Sequence, residues 1–378
     1  MLALAAASSA AVAVALFSAA PAGAISFSPT PAVETAPEPR AVAITDRLAK
    51  YGPSVFVPSA ERPELWQFRL GAAGPLEVFT KNQQVPGPSR AIGTADFDRD
   101  FADDLAIANT GTSGLLIVRC YPGVGLFVPQ FDANREPDPY PTGPRPVAVA
   151  TGQLDPIVDS PPDVATANDG DGTVTTWRNT GKFPIKLRDR ADAKVGDNPR
   201  ALVIGPFGGG GIFRDVAVAV AGEDRVVVLE RRGSDLNEIA SVEAGNEPSE
   251  LVRGDFDEDQ RLDLMVANPL GQLTLLVGKE GGGFEPPKRV LDGADVSAMA
   301  TADFDRDGKA DLALANPSAG RVTVLLGRGN GTAYQRLTYP TESRPAAIAA
   351  GDINGDGRPD LAVANLGSTT VTALLNRP

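Results

Sequence analysis

The stretch Asp303–Asn316, DFDRDGKADLALAN, decides the fold because near copies of it recur along the chain. Each copy has an acidic loop of nine residues that runs directly into an apolar segment such as LALAN. The four intact loops are Asp96–Asp104, Asp255–Asp263, Asp303–Asp311 and Asp352–Asp360. A period of this length is typical of solenoids and propellers rather than of a fold with one irregular core.

Three further copies, which we call worn because they lack part of the acidic set, complete the series. Asp163 opens VATAN after a loop that begins at Gln153, and Asp215 opens VAVAV after a run of glycines. A third, Ala43–Val57, aligns without gaps on Ala349–Val363. The ninth loop position therefore falls at residues 54, 104, 163, 215, 263, 311 and 360, in steps of 48 to 59 residues. The chain contains seven units.

Each unit predicts four short strands, because runs such as Val322–Leu326 alternate in side-chain character and no segment keeps a helical period. The last unit ends at Pro378 after its third strand, whereas Phe27–Ala43 matches Phe284–Ala300 in spacing. We therefore predict an all-β fold, a seven-bladed β-propeller of four-stranded blades, closed by the mature N-terminal strand that completes the last blade. The alternative, an open solenoid, would need capping repeats, and none is visible.

The N-terminal segment has the pattern of an export signal. Leu2–Ala20 carries no charge and Ala22–Ala24 fits a cleavage site, although no basic residue precedes Arg40. We predict a signal peptide over 1–24, with an uncleaved membrane anchor as the alternative. Residues 25–378 would then form one propeller domain without a membrane span, either secreted or held at the cell surface or in the periplasm. Its predicted parts are a closing strand at 25–37 and repeats at about 38–88, 89–138, 139–193, 194–245, 246–293, 294–341 and 342–378.

Composition excludes several kinds of site. The 378 residues include no histidine and one cysteine, Cys120, and carry a net charge of −13. Histidine-dependent nucleophile pairs and imidazole metal ligands are therefore excluded, as are intrachain disulfides and thiolate zinc clusters. The acidic balance argues against a nucleic-acid partner and favours a bound cation.

The intact loops have the oxygen ligands that Ca²⁺ prefers, with side chains at positions 1, 3, 5 and 9. Position 6 is glycine in two loops, and Phe101 and Gln260 occupy it in the others. The alternative is that aspartates only cap and solvate hairpins, but four loops in phase favour metal because neighbouring carboxylates repel one another. We predict about four Ca²⁺ sites, with Asp96, Asp98, Asp100 and Asp104; Asp255, Asp257, Asp259 and Asp263; Asp303, Asp305, Asp307 and Asp311; and Asp352, Asn354, Asp356 and Asp360. The worn loops lack this set, and whether the loop from Gln153 to Asp163 binds metal stays open.

The pattern DFDxDGxxDLxxAN, best matched by Asp303–Asn316, resembles the FG-GAP or VCBS repeats of integrin α-subunit propellers and of many exported bacterial proteins. The resemblance covers essentially all of residues 25–378. It implies a calcium-stabilised extracellular propeller used for adhesion or ligand binding, with metal ligands at the four intact loops only. Phe101 and Gln260 depart from the family's glycine and place the turn geometry of their loops in question.

The function predicted from these features is a non-catalytic binding or adhesion module, a monomer whose partner is an extracellular protein or glycan. The alternative is a secreted propeller enzyme, a polysaccharide lyase or hydrolase, which would need paired acid groups outside the metal loops. Arginines that precede several first strands would ring one mouth of the channel if those strands line the axis; ordinary strand-flanking charges are the alternative. The candidate ligand-binding residues are Arg40, Arg90, Arg145, Arg200, Arg344 and Tyr140.

Overall fold

The computed structural model describes residues 25–45, 52–71, 74–121, 126–129, 139–154, 160–181, 185–208, 214–293, 295–332 and 334–377, together with strand backbone at 4–7 and 11–14. Regular structure in these parts consists of β-strands and two single-turn 3₁₀ helices, Ala221–Glu223 and Pro317–Ala319. None of the helices in these ranges has the length and apolar character needed to cross a bilayer.

The strands form seven antiparallel sheets, which we number as blades 1 to 7 in chain order. From the innermost strand outward, blades 1 to 3 comprise Ala43–Thr45, Ser54–Pro58, Glu64–Leu70 and Leu76–Gln84; Ser89–Ala95, Asp104–Asn109, Gly114–Tyr121 and Leu126–Pro129; and Pro146–Gly152, Asp163–Asn168, Thr173–Asn179 and Leu187–Lys194. Blades 4 to 6 comprise Pro199–Gly205, Asp215–Val220, Arg225–Arg232 and Asp235–Glu243; Glu250–Gly254, Asp263–Ala267, Leu273–Leu276 and Lys288–Leu291; and Ala298–Ala302, Asp311–Asn316, Arg321–Gly327 and Tyr334–Pro340. Blade 7 comprises Pro345–Gly351, Asp360–Asn365, Thr370–Arg377 and the N-terminal strands Ser26–Pro29 and Val33–Glu34.

The blades form a closed ring. Each innermost strand contacts the innermost strand of the next blade, and that of blade 7 contacts that of blade 1. The predicted all-β, seven-bladed propeller is therefore confirmed. A short additional strand, Tyr140–Pro141, pairs with the third strand of blade 2.

Alternation along the second strand builds the core between blades. Leu105 and Ile107 pack towards blade 1, in a cluster with Phe56, whereas Ala106 and Ala108 pack towards blade 3. All four side chains are fully buried. Because successive side chains in a strand point to opposite faces, one LAIAN run serves two neighbouring interfaces. Burial of each large aliphatic side chain stabilises the fold by about 1.5–3 kcal/mol.

The two ends of the described chain meet in blade 7. Ser26 pairs with Arg377 and Pro29 with Leu374, so an N-terminal strand occupies the outer edge of the last sheet. The Phe27 ring packs edge-on against the rings of Phe304 and Tyr339, at centroid distances of 5.6 and 5.1 Å. These contacts also join blade 7 to blade 6.

The predicted signal segment is described only in part. Leu4–Ala7 and Ala11–Val14 form a hairpin, and Ala7 pairs with Thr151 near the end of the innermost strand of blade 3. The predicted cleavage site at Ala24 lies outside the described residues.

Candidate metal centre

The four intact loops share one backbone conformation with two left-handed residues. Position 6 has a positive φ in each loop: Phe101 70°, Gln260 67°, Gly308 89° and Gly357 78°. Position 4 is also left-handed, with φ of 61° at Arg99, 62° at Glu258, 63° at Arg306 and 76° at Gly355. A residue with a Cβ pays roughly 1–2 kcal/mol for this conformation. Phe101 and Gln260 thus keep the turn, and the strain at position 4 is a feature that the sequence did not reveal.

The position-1 aspartate closes each loop on itself. Asp96 accepts hydrogen bonds from the backbone N–H groups of Asp100 and Phe101, both at 3.0 Å. Asp255 accepts the equivalent pair from Asp259 and Gln260, at 3.1 and 2.9 Å. The carboxylate therefore holds the left-handed turn that brings positions 1, 3 and 5 together.

The position-9 aspartate ties the loop to the third strand. In blade 6, Asp311 Oδ2 accepts from Phe304 N at 2.8 Å and Oδ1 accepts from Gly327 N at 2.7 Å. Asp163, in a worn repeat, makes the same link to Leu154 N and Asn179 N, both at 2.7 Å. Because the link persists where the acidic set is incomplete, position 9 has a structural role that is separable from metal binding. Its retention at Asp163 was the available sequence signal.

Burial raises the pKa of the position-9 carboxyls. Desolvation is the largest cause in each case, and it outweighs the backbone hydrogen bonds that favour the ionised form. The pKa rises to about 9 at Asp104, about 8 at Asp311, about 7 at Asp360 and about 6 at Asp263. A cation at the loop would reverse this shift, because it favours the ionised carboxylate.

Three loops gather carboxylate oxygens that lie within 4.8 Å of one another. The groups are Asp96, Asp98 and Asp104; Asp255, Asp257 and Asp259; and Asp303, Asp305 and Asp311. In each group one oxygen is buried and has no hydrogen-bond partner: Asp98 Oδ1, Asp257 Oδ1 and Asp303 Oδ1. An unsatisfied buried acceptor costs about 1–3 kcal/mol, and more when it is charged. A hard cation would satisfy it, so the donor set fits Ca²⁺.

The loops differ in the cations that the protein itself supplies. In blade 2, Arg119 from the third strand forms ion pairs with Asp98 and, at 2.9 Å, with Asp100. In blade 6, Lys309 Nζ lies 2.6 Å from Asp307 Oδ2 only. In blade 7, the Asn354 amide donates to Asp356 Oδ2 at 3.0 Å. In blade 5, Arg261 forms an ion pair with Asp259. Guanidinium groups therefore already pair with predicted ligands in blades 2 and 5, and in blade 2 one guanidinium pairs with two of them.

Parts of the worn loops lie outside the described residues. These parts are 46–51 in blade 1, 155–159 in blade 3 and 209–213 in blade 4. Whether the loop from Gln153 to Asp163 binds metal therefore stays a question for experiment.

A cavity of about 450 Å³ lies where the innermost strands begin, at the end of the propeller opposite the metal loops. Arg40, Arg90, Arg200 and Arg344 all line it. We call this cavity the channel mouth.

The other two candidate ligand-binding residues are occupied elsewhere. Arg145 Nη2 lies 2.8 Å from Asp169 Oδ2. Tyr140 packs edge-on against Trp177, with ring centroids 5.6 Å apart, and its hydroxyl donates to Ile185 O at 3.3 Å. The structure therefore groups four of the six candidates and places these two in contacts of their own.

Comparisons with known proteins agree with the fold. A family model of the FG-GAP-like repeat matches residues 255–314 and 303–363. Curated proteins give no match to the chain. Two crystal structures of BBS1N in complex with ARL6DN, soaked with mercury and with lead, share 12% identity with it at TM-scores of 0.63 and 0.62. They cover 93% of this chain, and 95% and 96% of their own.

A protein from Lactobacillus plantarum is also similar, at 13% identity and a TM-score of 0.55, over 79% of this chain and 84% of its own. Identities this low show the fold alone. The repeat match and the ring of sheets together carry the assignment. The chain is a seven-bladed β-propeller with FG-GAP-like repeats.

Proposed function

We propose that the protein is an exported, calcium-stabilised β-propeller that acts as a non-catalytic binding module for an extracellular protein or glycan. The observation that carries the calcium part is the buried carboxylate oxygen without a partner that recurs in three loops. These loops belong to blades 2, 5 and 6. An unsatisfied buried carboxylate oxygen in each of three equivalent loops is what a shared type of ligand would satisfy.

The residues that would hold the ion in blade 6 are Asp303, Asp305, Asp307 and Asp311. Asp303 and Asp311 are already positioned by backbone N–H groups of the loop. When bound, Ca²⁺ would neutralise the negative charge of these carboxylates. The loop would then resist opening, because its position-9 residue also holds the third strand.

The calcium proposal is tested by thermal melting and calorimetric titration of residues 25–378 with Ca²⁺ and with EGTA. We expect the melting temperature to rise with Ca²⁺, because a ligand at 100 times its Kd stabilises by about 2.7 kcal/mol per site. Asp305→Asn should remove one site, whereas Asp292→Asn, which alters an exposed carboxylate outside the loops, should remove none. An unchanged melting temperature in EGTA would count against the proposal.

The binding role and the export are tested separately. A glycan and protein array probed with Ca²⁺ and with chelator should show calcium-dependent capture by the intact propeller. N-terminal sequencing of the chain recovered from outside a secreting host should begin at Ile25. Retention of residues 1–24 on an envelope-bound product would support the uncleaved anchor instead.

The enzyme alternative, a polysaccharide lyase or hydrolase, would rest on Glu247 and Glu250, which both line the channel mouth. Burial raises the pKa of Glu250 to about 8, as a general acid requires. Release of reducing ends or unsaturated products from polyuronates, abolished by Glu250→Gln, would favour this alternative.

A further inference from the structure

The channel mouth is lined by one equivalent residue from every blade. In each blade this residue lies at or just before the start of the innermost strand, and in five blades it directly follows a proline. These residues are Arg40, Arg90, Val147, Arg200, Ser249, Ser297 and Ala346, and all seven line the cavity. Three blades therefore place a guanidinium where the others place a small or apolar side chain. This difference is specific to position, because the seven residues share one place in the repeat.

The backbone at the mouth is held by a recurring corner. A left-handed residue precedes this proline in the five blades: Glu38 at φ 50°, Arg145 at 53°, Asn198 at 63°, Glu247 at 49° and Arg344 at 52°. Proline restricts its own φ to about −65°. A strained residue followed by a fixed one leaves the lining residue little freedom of backbone position. These corners therefore fix the backbone around the channel mouth in the absence of a ligand.

Positive charge is concentrated on one side of the mouth. Arg344, Arg40 and Arg90 come from blades 7, 1 and 2, which are consecutive around the ring, and Arg200 of blade 4 lies across from them. Arg90, Arg200 and Arg344 form no side-chain hydrogen bond or ion pair within the described parts of the chain. Arg40 pairs with Glu38 at 2.9 Å, but both side chains are more than a third exposed, at 40% and 45%. Such a pair contributes little and is readily exchanged.

Acidic residues offset only part of this charge. Glu247 and Glu250 of blade 5 line the opposite side of the cavity. Burial raises the pKa of Glu250 to about 8, so its carboxyl is largely neutral at neutral pH. The formal charges of four arginines, Glu38 and Glu247 sum to about two positive charges at the mouth of a protein whose net charge is −13.

The size and chemistry of the cavity select the ligand. A volume of about 450 Å³ lies in the range of small-molecule sites. The guanidinium fork matches carboxylates, and a surplus of about two charges suits two or three singly charged groups better than several phosphates. Among the described lining residues none is aromatic, so stacking of a neutral sugar is not provided for.

We propose that the channel mouth binds a small polycarboxylate, an organic acid or acidic sugar with two or more carboxylates. This site goes beyond the proposed role, which concerns a protein or glycan partner. Arg40, Arg90 and Arg200 hold the carboxylates from three blades, and Arg344 adds a fourth guanidinium beside Arg40. Val147, Ser249, Ser297 and Ala346 leave the space that the ligand fills.

Calorimetric titration of residues 25–378 with tricarballylate tests the proposal, with its trimethyl ester as the neutral control. We expect measurable binding of the acid and none of the ester. The triple variant Arg40→Gln, Arg90→Gln, Arg200→Gln should weaken binding at least tenfold. A matched triple variant, Arg188→Gln, Arg328→Gln, Arg336→Gln, loses the same charge outside the mouth and should weaken it less than twofold. All these side chains are exposed, so both variants are expected to fold.

A gain of affinity provides the complementary test. Val147→Arg places a further guanidinium at the equivalent position of blade 3 and should strengthen tricarballylate binding several-fold. Equal losses in the two triple variants would overturn the proposal, because they would indicate unspecific attraction. Binding of triaspartate without tricarballylate would overturn it in favour of an acidic peptide. Melting with Ca²⁺ and EGTA is measured in parallel, so failure of the calcium proposal is seen independently of the mouth.

Discussion

Blades 6 and 3 have the same four strands but differ in their loops. Blade 6 keeps aspartates at positions 1, 3, 5 and 9, whereas blade 3 has a longer loop in which only the final link is described. In both, the position-9 aspartate accepts hydrogen bonds from one N–H of the loop and one of the third strand. The comparison separates two functions of one motif: position 9 supports the blade in both repeats, and in blade 6 the same carboxylate also joins positions 1 and 3 in a place for a cation.

The largest effect is expected from removal of the shared link. Asp311→Ala and Asp163→Ala should each lower the free energy of unfolding by roughly 3 kcal/mol, because two buried N–H groups lose their acceptor. The loss at Asp163 should be the same in Ca²⁺ and in EGTA. Denaturant unfolding measures both, with Asp292→Ala as the exposed control. A loss at Asp163 that disappears in EGTA would break the separation of the two functions.

Chelation should distinguish the blades locally. We expect EGTA to reduce hydrogen-exchange protection in the loops of blades 5 and 6 by about 2.7 kcal/mol per site, if Ca²⁺ is initially at 100 times its Kd. Amides around Asp163 should change little. Peptide-resolved hydrogen exchange measures the difference, and uniform deprotection of all seven blades would contradict it.

Arg119 should lower the affinity of the blade 2 site. Its guanidinium lies among the carboxylates that Ca²⁺ would use, so Arg119→Leu is expected to raise affinity about tenfold, equivalent to about 1.4 kcal/mol. In EGTA the same variant should be less stable than the parent, because Asp98 loses its cation. Site-resolved titration with a luminescent lanthanide checks this. Arg261→Leu removes an ion pair with a single carboxylate in blade 5 and should raise the affinity of that site by less. An unchanged blade 2 affinity would indicate that Arg119 moves aside at no cost.

The pH dependence should be the most gradual effect, because it is spread over about four pH units. Burial raises the pKa of Asp311 to about 8, above the value of about 3.8 expected in the unfolded chain. The folded state therefore holds a proton that the unfolded state has released, so this contribution to stability is complete below pH 4. It is lost as pH rises towards 8, by at most about 1.4 kcal/mol per pH unit. Unfolding in EGTA should show this decline, and saturating Ca²⁺ should reduce it.

The sequence was sufficient for the repeat architecture because its signals are local. Alternation within LAIAN-type runs sets which face each side chain takes, and the spacing of the loops sets the number of blades. The acidic sets at positions 1, 3, 5 and 9 are equally local, so the three carboxylate groups were predictable as clusters.

Other features depend on register in three dimensions. Arg119 meets its loop only because the third strand returns beside Asp98 and Asp100. Arg145 and Arg344 occupy equivalent corners, yet Asp169 holds the first while the second lines the mouth. Neither outcome follows from sequence spacing, because each depends on which side chain a neighbouring turn presents.

The joining of both chain ends in blade 7 has a consequence for biosynthesis. The partner of Phe27 lies on the strand Thr370–Arg377, so the ribosome must translate as far as this strand before the ring can close. Until then the edge of blade 7 and the side of blade 1 stay open to water or to other chains. A premature stop before Thr370 would leave six complete blades and an N-terminal strand without its partner. Proteases should recognise this incomplete product.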